Sequence, residues 1–231
     1  MIPEKTYGRL YIVATPIGHP EDITLRAIKI LQQVDEIICE ELSNGSKLLK
    51  SLQINKPLLT LNEHNEDEMI QTVLVKLMEG KSFALISDCG TPVFADPGRH
   101  LLQMLSEMKI PVSPIPGASS LMAAISVCPF NLQKFFFLGF LPPKSEQRIS
   151  ILKRYRNTES PIILMDTPYR MTRLLEEVLK VFGKKQQVFL AADLTLKKEE
   201  VLQDTIEVVY KNMKNKKKEF ILIIDKPAQR I

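Results

Sequence analysis

Five short apolar runs, each separated from the next by a segment of different periodicity, constrain this chain more than any other feature. The runs are Leu10 to Ala14, Glu36 to Cys39, Leu58 to Leu61, Phe83 to Ile86 and Val112 to Ile115. Rich in Ile, Val and Leu, with little polar alternation, they have the pattern of strands buried on both faces. Between them, Leu25, Ile28 and Leu31, then Met69, Val73, Leu77 and Met78, then Leu101, Leu105 and Met108 fall at helical intervals. These segments predict amphipathic helices, the middle one stopped by Gly80. Strands that alternate with helices need right-handed crossovers, so a mainly parallel open sheet covered on both faces is expected.

A second series follows, with strands at Phe135 to Leu138, Ile162 to Met165, Val188 to Ala191 and Phe220 to Ile224, and helices around Ile149 to Tyr155 and Met171 to Phe182. The chain therefore divides into two α/β domains, 1–116 and 117–231, the first with a mainly parallel sheet and the second with a mixed one. A helix at Ala118 to Val127 joins them, and a ligand cleft between the two is expected.

In open α/β sheets ligands sit at the carboxyl ends of the strands. The corresponding loops are 15–20, 40–43, 62–66, 87–98 and 116–120. A dinucleotide would need a glycine-rich turn after the first strand, whereas Thr15 to Pro20 has one glycine and two prolines that remove N–H donors. The full Walker phosphate loop does not occur either, since Gly80-Lys81-Ser82 has Val75 where that loop needs its first glycine. The densest loop is SDCGTPVFADPG at 87–98, long for a strand-to-helix connection and stiff with two prolines. Asp96 and Pro97 suit the N-cap and first position of the following helix, which leaves Asp88 to Thr91 without a structural explanation.

Composition adds exclusions. No apolar run approaches the length of a membrane span, and the start lacks a basic-then-apolar export signal, so a cytoplasmic location is expected. Cys39, Cys89 and Cys128 are widely spaced in or beside apolar stretches and read as buried reduced thiols. With His19, His64 and His100 equally scattered, no metal is expected. The net charge of +4 owes much to Lys211 to Lys218, five of whose eight residues are lysine. That tract reads as a solvated turn before the last strand, or alternatively as an RNA-contacting patch.

Taken together, LYIVATPIG at 10–18, LNEHNE at 61–66, SDCGTP and ADPG within 87–98, PIPGASS at 114–120, FLGFLPPKS at 137–145 and DTPYR at 166–170 resemble the tetrapyrrole methylase superfamily. The closest branch is the small-subunit ribosomal RNA cytidine ribose 2′-O-methyltransferases. The resemblance runs nearly end to end. It implies a two-domain methyltransferase, usually a homodimer, that binds S-adenosylmethionine. The family's cofactor contacts would fall on Ala14, Thr15, Asp88, Gly90, Thr91, Phe94, Ser119, Ser120, Met165, Ala192 and Phe220.

A ribose hydroxyl has a high pKa and calls for a general base. Glu40, Glu41, His64 and Asp88 are available at strand ends, and Glu40 and His64 come first because their loops match the family. Pro16, Glu41 and Asn65 would flank the acceptor, while Lys144, Arg148 and Arg170 could meet phosphate. Leu42 and Ser43 stand where the branch commonly has Thr and Arg, Ala192 and Asp193 where it has Arg and Glu, and Ile231 comes before the helical extension of many members. The expected activity is thus S-adenosylmethionine-dependent methylation of ribosomal or other RNA. The rival readings are methylation of a tetrapyrrole or other small molecule, and a non-catalytic S-adenosylmethionine-binding protein.

Overall fold

A computed structural model describes residues 7–62, 64–94 and 96–226. They form two compact units, the first closing at Ser119 and the second opening at Ser120.

In the first unit the elements are β1 (Leu10–Val13), α1 (Leu25–Gln33), β2 (Glu36–Cys39), α2 (Leu42–Ser51), β3 (Leu58–Thr60), α3 (Glu66–Met78), β4 (Phe83–Ile86), α4 (Arg99–Glu107) and β5 (Val112–Ile115). The strands lie in the order β3-β2-β4-β1-β5, and every pairing is parallel. Successive side chains of one strand leave the sheet on opposite faces. Ile38 and Leu85 accordingly join Ile70, Leu77, Leu101 and Leu105 beneath α3 and α4. Their neighbours Ile37 and Ala84 join Ala27, Leu31 and Leu49 beneath α1 and α2. The expected parallel sheet with two covered faces is what forms.

Helix α2 was not expected, because Leu42 to Ser51 holds an internal glycine and few apolar residues. That glycine explains how the helix packs. A Cβ on Gly45 would stand 2.9 Å from the Cys39 sulfur and 3.1 Å from its Cβ, so only glycine lets α2 lie this close to β2. The close packing offsets a helix-interior cost of roughly 0.5–1 kcal/mol. The start of α4 also differs from expectation. Its N-cap is Gly98, at φ 115°, rather than Asp96, and Pro97 precedes the helix.

The second unit comprises α5 (Ser120–Val127), β6 (Phe136–Phe140), α6 (Ser145–Tyr155), β7 (Ile162–Asp166), α7 (Met171–Phe182), β8 (Gln187–Ala192), β9 (Glu200–Thr205), α8 (Ile206–Met213) and β10 (Phe220–Ile224). Its sheet runs β6-β7-β10-β8-β9, with β6 parallel to β7 and the other pairs antiparallel, a mixed sheet as expected. Leu152, Leu174, Val178, Ile206 and Val209 of α6, α7 and α8 cover one face. Ala124 of α5 packs with Ile163, Phe189 and Ile223 on the other. No helix among the described residues is long and apolar enough to cross a membrane.

A buried ion pair fastens α6 to α7. Arg148, 1% exposed, donates from Nε to Glu177 Oε2 at 2.7 Å and from its NH2 nitrogen to Oε1 at 2.6 Å. Ser145 Oγ donates to the same Oε1 at 2.6 Å, and the remaining Arg148 nitrogen donates to the carbonyls of Pro142 and Pro143. Arg148 is therefore a structural cation rather than a solvated or phosphate-facing one. Burial opposes ionisation of Glu177, yet the hydrogen bonds from Arg148 and Ser145 prevail and hold its carboxyl below the ordinary value.

Replacing Glu177 by Ala leaves a buried guanidinium without its counter-ion. The expected loss of stability is about 3–5 kcal/mol, measured by urea denaturation. Because the folded pKa of Glu177 is depressed, its contribution is complete above the ordinary glutamate range near pH 4 and is lost as the pH falls through the folded value. Denaturation midpoints of wild type and Glu177→Ala should therefore converge as the pH drops below about 4.

Candidate functional site

A wholly parallel sheet gathers the carboxyl ends of its strands on one edge, and in this unit the loop at 87–98 ties that edge together. Gly90 and Thr15 exchange two backbone hydrogen bonds, Thr15 N to Gly90 O at 2.9 Å and Gly90 N to Thr15 O at 3.1 Å. The Thr15 hydroxyl donates to Ser87 O at 3.2 Å, and Ser87 Oγ closes the turn by donating to Cys89 O at 3.0 Å. On the β5 side, Thr91 Oγ1 donates to Ala118 O at 3.2 Å. On the β2 side, Asn44 Nδ2 of α2 donates to Asp88 Oδ2 at 2.6 Å. On the β3 side, Gly98 N donates to Glu66 Oε1 at 3.3 Å. One loop thus bonds to the connection of every other strand.

The turn requires its glycine. Gly90 has φ +78°, and a Cβ there would stand 3.2 Å from Ile17 Cγ2 and 3.7 Å from Ala118 O. The backbone of β1's loop, including buried Ala14 and Thr15, lies directly against this segment. Asp88 and Thr91 remain exposed beside it, as does Phe94.

Of the expected general bases, Glu40 follows β2 directly and is half-buried, whereas His64 is exposed, its backbone N–H donating to Asn62 Oδ1 at 3.0 Å. Asn65 is occupied in holding its own loop: its Nδ2 donates to Thr60 O at 3.0 Å and its Oδ1 accepts from Asn62 N at 2.8 Å. Glu41 is exposed at the N-cap position of α2, next to Leu42, 48% exposed, and Pro16 is half-buried. Glu63 and Ala95 of the sequence motifs lie outside the described residues.

The loops of this edge carry one sign of formal charge, although Arg26 of α1 reaches the end of β5 by donating to Pro114 O at 3.2 Å. Loops 14–20, 40–44, 61–66, 87–98 and 116–119 contain Glu40, Glu41, Glu63, Glu66, Asp88 and Asp96, and neither Lys nor Arg. Burial and the Asp88 charge raise the Asp96 pKa against a hydrogen bond from Ser87. Burial, with the charges of Asp88 and Glu41, pushes the Cys39 thiol up to about 11. Such an edge repels phosphate and favours a cationic ligand. Of the cysteines expected to be buried, Cys39 is, Cys128 is half-buried and Cys89 is exposed on the tight turn. Among the described residues no group of three His, Cys, Asp or Glu side chains could hold a metal ion.

The remaining expected contacts lie in the second unit, apart from Ser119, the last residue of the first. Ser120 begins α5. Sheet register brings Met165, Ala192 and Phe220 together: Phe220 pairs with Ala192, and its neighbour Ile221 with Met165. Arg170 is committed to Asp166, with Nε to Oδ1 at 2.6 Å, and donates to Leu141 O at 3.3 Å; Lys144 is exposed at the start of α6. Reading the sequence missed Asn44, which holds Asp88, because the helix that carries it went unrecognised.

Residues 9–209 match the family described as Tetrapyrrole (Corrin/Porphyrin) Methylases. The chain is 36% identical over 226 residues to ribosomal RNA small subunit methyltransferase I of Escherichia coli O157:H7, covering 96% of this chain and 79% of that one. It is 37% identical over 210 residues to the protein of the same name from Thermotoga maritima, covering 91% and 94%. Among solved structures, uroporphyrin-III C-methyltransferase from Thermus thermophilus, crystallised with S-adenyl homocysteine, superposes with a TM-score of 0.66 at 17% identity, covering 94% and 97%. At that identity the likeness is one of fold.

Two measurements check the geometry of the loop. Gly90→Ala forces a Cβ into a left-handed position and should destabilise the protein by roughly 1–2 kcal/mol in urea. A thiol reagent at pH 8 should modify exposed Cys89 and leave Cys39 unreacted in the folded protein, as mapped by peptide mass.

Proposed function

Since the chain belongs to the tetrapyrrole methylase family and is a methyltransferase, we propose that it transfers the methyl group of S-adenosylmethionine to a ribose 2′-hydroxyl of small-subunit ribosomal RNA, in the cytosol. The observation that carries the cofactor reading is the strand-end edge itself. Its loops are acidic and free of Lys and Arg, and they are pinned around one rigid turn. A sulfonium is favoured there, whereas the phosphates of a dinucleotide or nucleoside triphosphate are not. The names carried by the relatives in Escherichia coli and Thermotoga maritima support the acceptor.

Bound at this edge, S-adenosylmethionine would supply an electrophilic methyl carbon for in-line displacement. The protein's part is to orient and to remove a proton. Backbone groups of Ala14 to Thr15 and of Asp88 to Thr91, with the Thr91 and Ser119 hydroxyls, would hold the donor. As the acceptor oxygen bonds to the methyl carbon and the carbon–sulfur bond breaks, the hydroxyl proton would pass to a carboxylate, for which half-buried Glu40 is best sited. We infer a homodimer as well, from the family resemblance and from exposed apolar residues on edge strand β6 and on α5, among them Phe136, Phe140 and Met122. Light scattering measures it.

Calorimetric titration with S-adenosylmethionine should give saturable binding, and none at millimolar ligand would overturn the reading. Thr91→Ala, which removes one hydrogen-bonding hydroxyl, should weaken binding about threefold to tenfold without unfolding the protein. Glu40→Gln should leave the cofactor affinity intact and lower the transfer rate by roughly 10²–10⁴. Labelled methyl groups should enter purified small ribosomal subunits. Label that enters neither subunits nor free RNA would turn the assignment to a small-molecule acceptor.

A further inference from the structure

The strand-end loops that suit a sulfonium contain neither Lys nor Arg, which leaves phosphate contacts to other parts of the chain. The second unit carries a surface built for that. Its lysine tract is ordered by contacts at several points. Lys216 Nζ lies 2.9 Å from Glu200, and Lys218 Nζ lies 3.2 Å from Glu200 and 3.3 Å from Asp193. Between these two lysines and α8, Asn215 takes a left-handed φ of +68° and donates its N–H to Thr172 Oγ1 at 3.0 Å. The neighbouring carboxylate Glu207 is shared by Lys184 and Lys211. What the anchoring leaves outward are Lys217, whose Nζ stands 5.1 Å from the ring centroid of Tyr169, and Lys214, 5.9 Å from that of Tyr210.

Tyr169 is 80% exposed, unusual for an aromatic residue in a fixed turn. It is held between Pro168, which sets the backbone before it, and Arg170, whose guanidinium is locked on buried Asp166. A rigid exposed ring with one outward lysine against it, and a second three residues earlier in the same tract, is an arrangement on which a single-stranded base stacks while its phosphates meet cations. We infer that Tyr169, Lys214 and Lys217 form a docking surface for a single-stranded segment of the RNA substrate. One base stacks on Tyr169, and the adjoining phosphates lie against the two lysines. This inference rests on the reading of RNA as the methyl acceptor. It also gives the lysine tract a role beyond a solvated turn.

The test is fluorescence anisotropy of the full chain with a labelled mixed-sequence 12-nucleotide single-stranded RNA, at several salt concentrations. Tyr169→Ala should weaken binding about tenfold, and Tyr169→Phe, which keeps the ring, should not. Lys214→Gln combined with Lys217→Gln should weaken binding and reduce the salt slope by about one to two. Urea midpoints of all three proteins should stay near wild type, since the replaced side chains are exposed. A wild type that does not bind the RNA, or Tyr169→Ala and lysine variants that bind as wild type does, would overturn the inference. Methyl transfer to small subunits, measured on the same proteins, separates the two readings. Normal transfer with unaltered RNA binding by the variants removes only this surface, whereas a wild type that binds RNA through it but labels no ribosomal RNA removes only the proposed acceptor.

Discussion

The backbone pair between Thr15 and Gly90 is the contact on which the candidate site depends. Adjacent parallel strands normally part company at their carboxyl ends, and their loops diverge into solvent. Here the loops after β1 and β4 stay hydrogen-bonded for one further step, in the antiparallel sense. The chain can do this only because Gly90 accepts a left-handed backbone. Once the loop is folded back, Thr91 reaches Ala118 and Asp88 meets Asn44, so the edge becomes a continuous hydrogen-bonded rim. On the proposed reading, a rim of this kind would hold the methyl donor in one pose without reorganising at each turnover, which is where an enzyme of in-line displacement gains most of its rate.

Charge is distributed between the units with a similar economy. The strand-end loops of the first unit hold carboxylates and neither Lys nor Arg, while the second unit concentrates lysine in one tract and neutralises part of it with Asp193 and Glu200. On the proposed reading, the first unit would favour the sulfonium and the second the RNA phosphates.

Much of this was legible in the sequence. The parallel sheet was readable because each buried strand is a compact apolar run, and α7 because five buried apolar side chains repeat at helical spacing. Helix α2 was hidden: its packing depends on the absence of a side chain at Gly45, and a hydrophobic pattern cannot register an absence. Strand β9 was hidden for another reason. It is an edge strand whose pattern, Glu200 to Thr205, is largely polar and runs straight into α8, so no boundary stands out. At the site, the importance of loop 87–98 could be read from its length and stiffness. Its bonds to Thr15, Asn44, Glu66 and Ala118 could not, since they join residues far apart in the chain. Arg148 misled because a helix-end arginine is ordinarily solvated, and only the burial of Glu177 beneath it reverses that expectation.

The strand order of the first unit has a consequence for how the protein comes into being. Strand β1 has partners on both sides that are made much later: Leu10 pairs with Phe83 and with Val112. Throughout that interval its apolar residues have no sheet to enter. In the second unit, by contrast, β8 and β9 follow one another and pair antiparallel through a short connection. Non-local parallel pairing is the slow class of folding event, and exposed strand edges are where nascent chains aggregate. Of the two units, the one made earlier is therefore the one that must wait, and a chaperone that shelters a nascent chain would find its main client in residues 10–115.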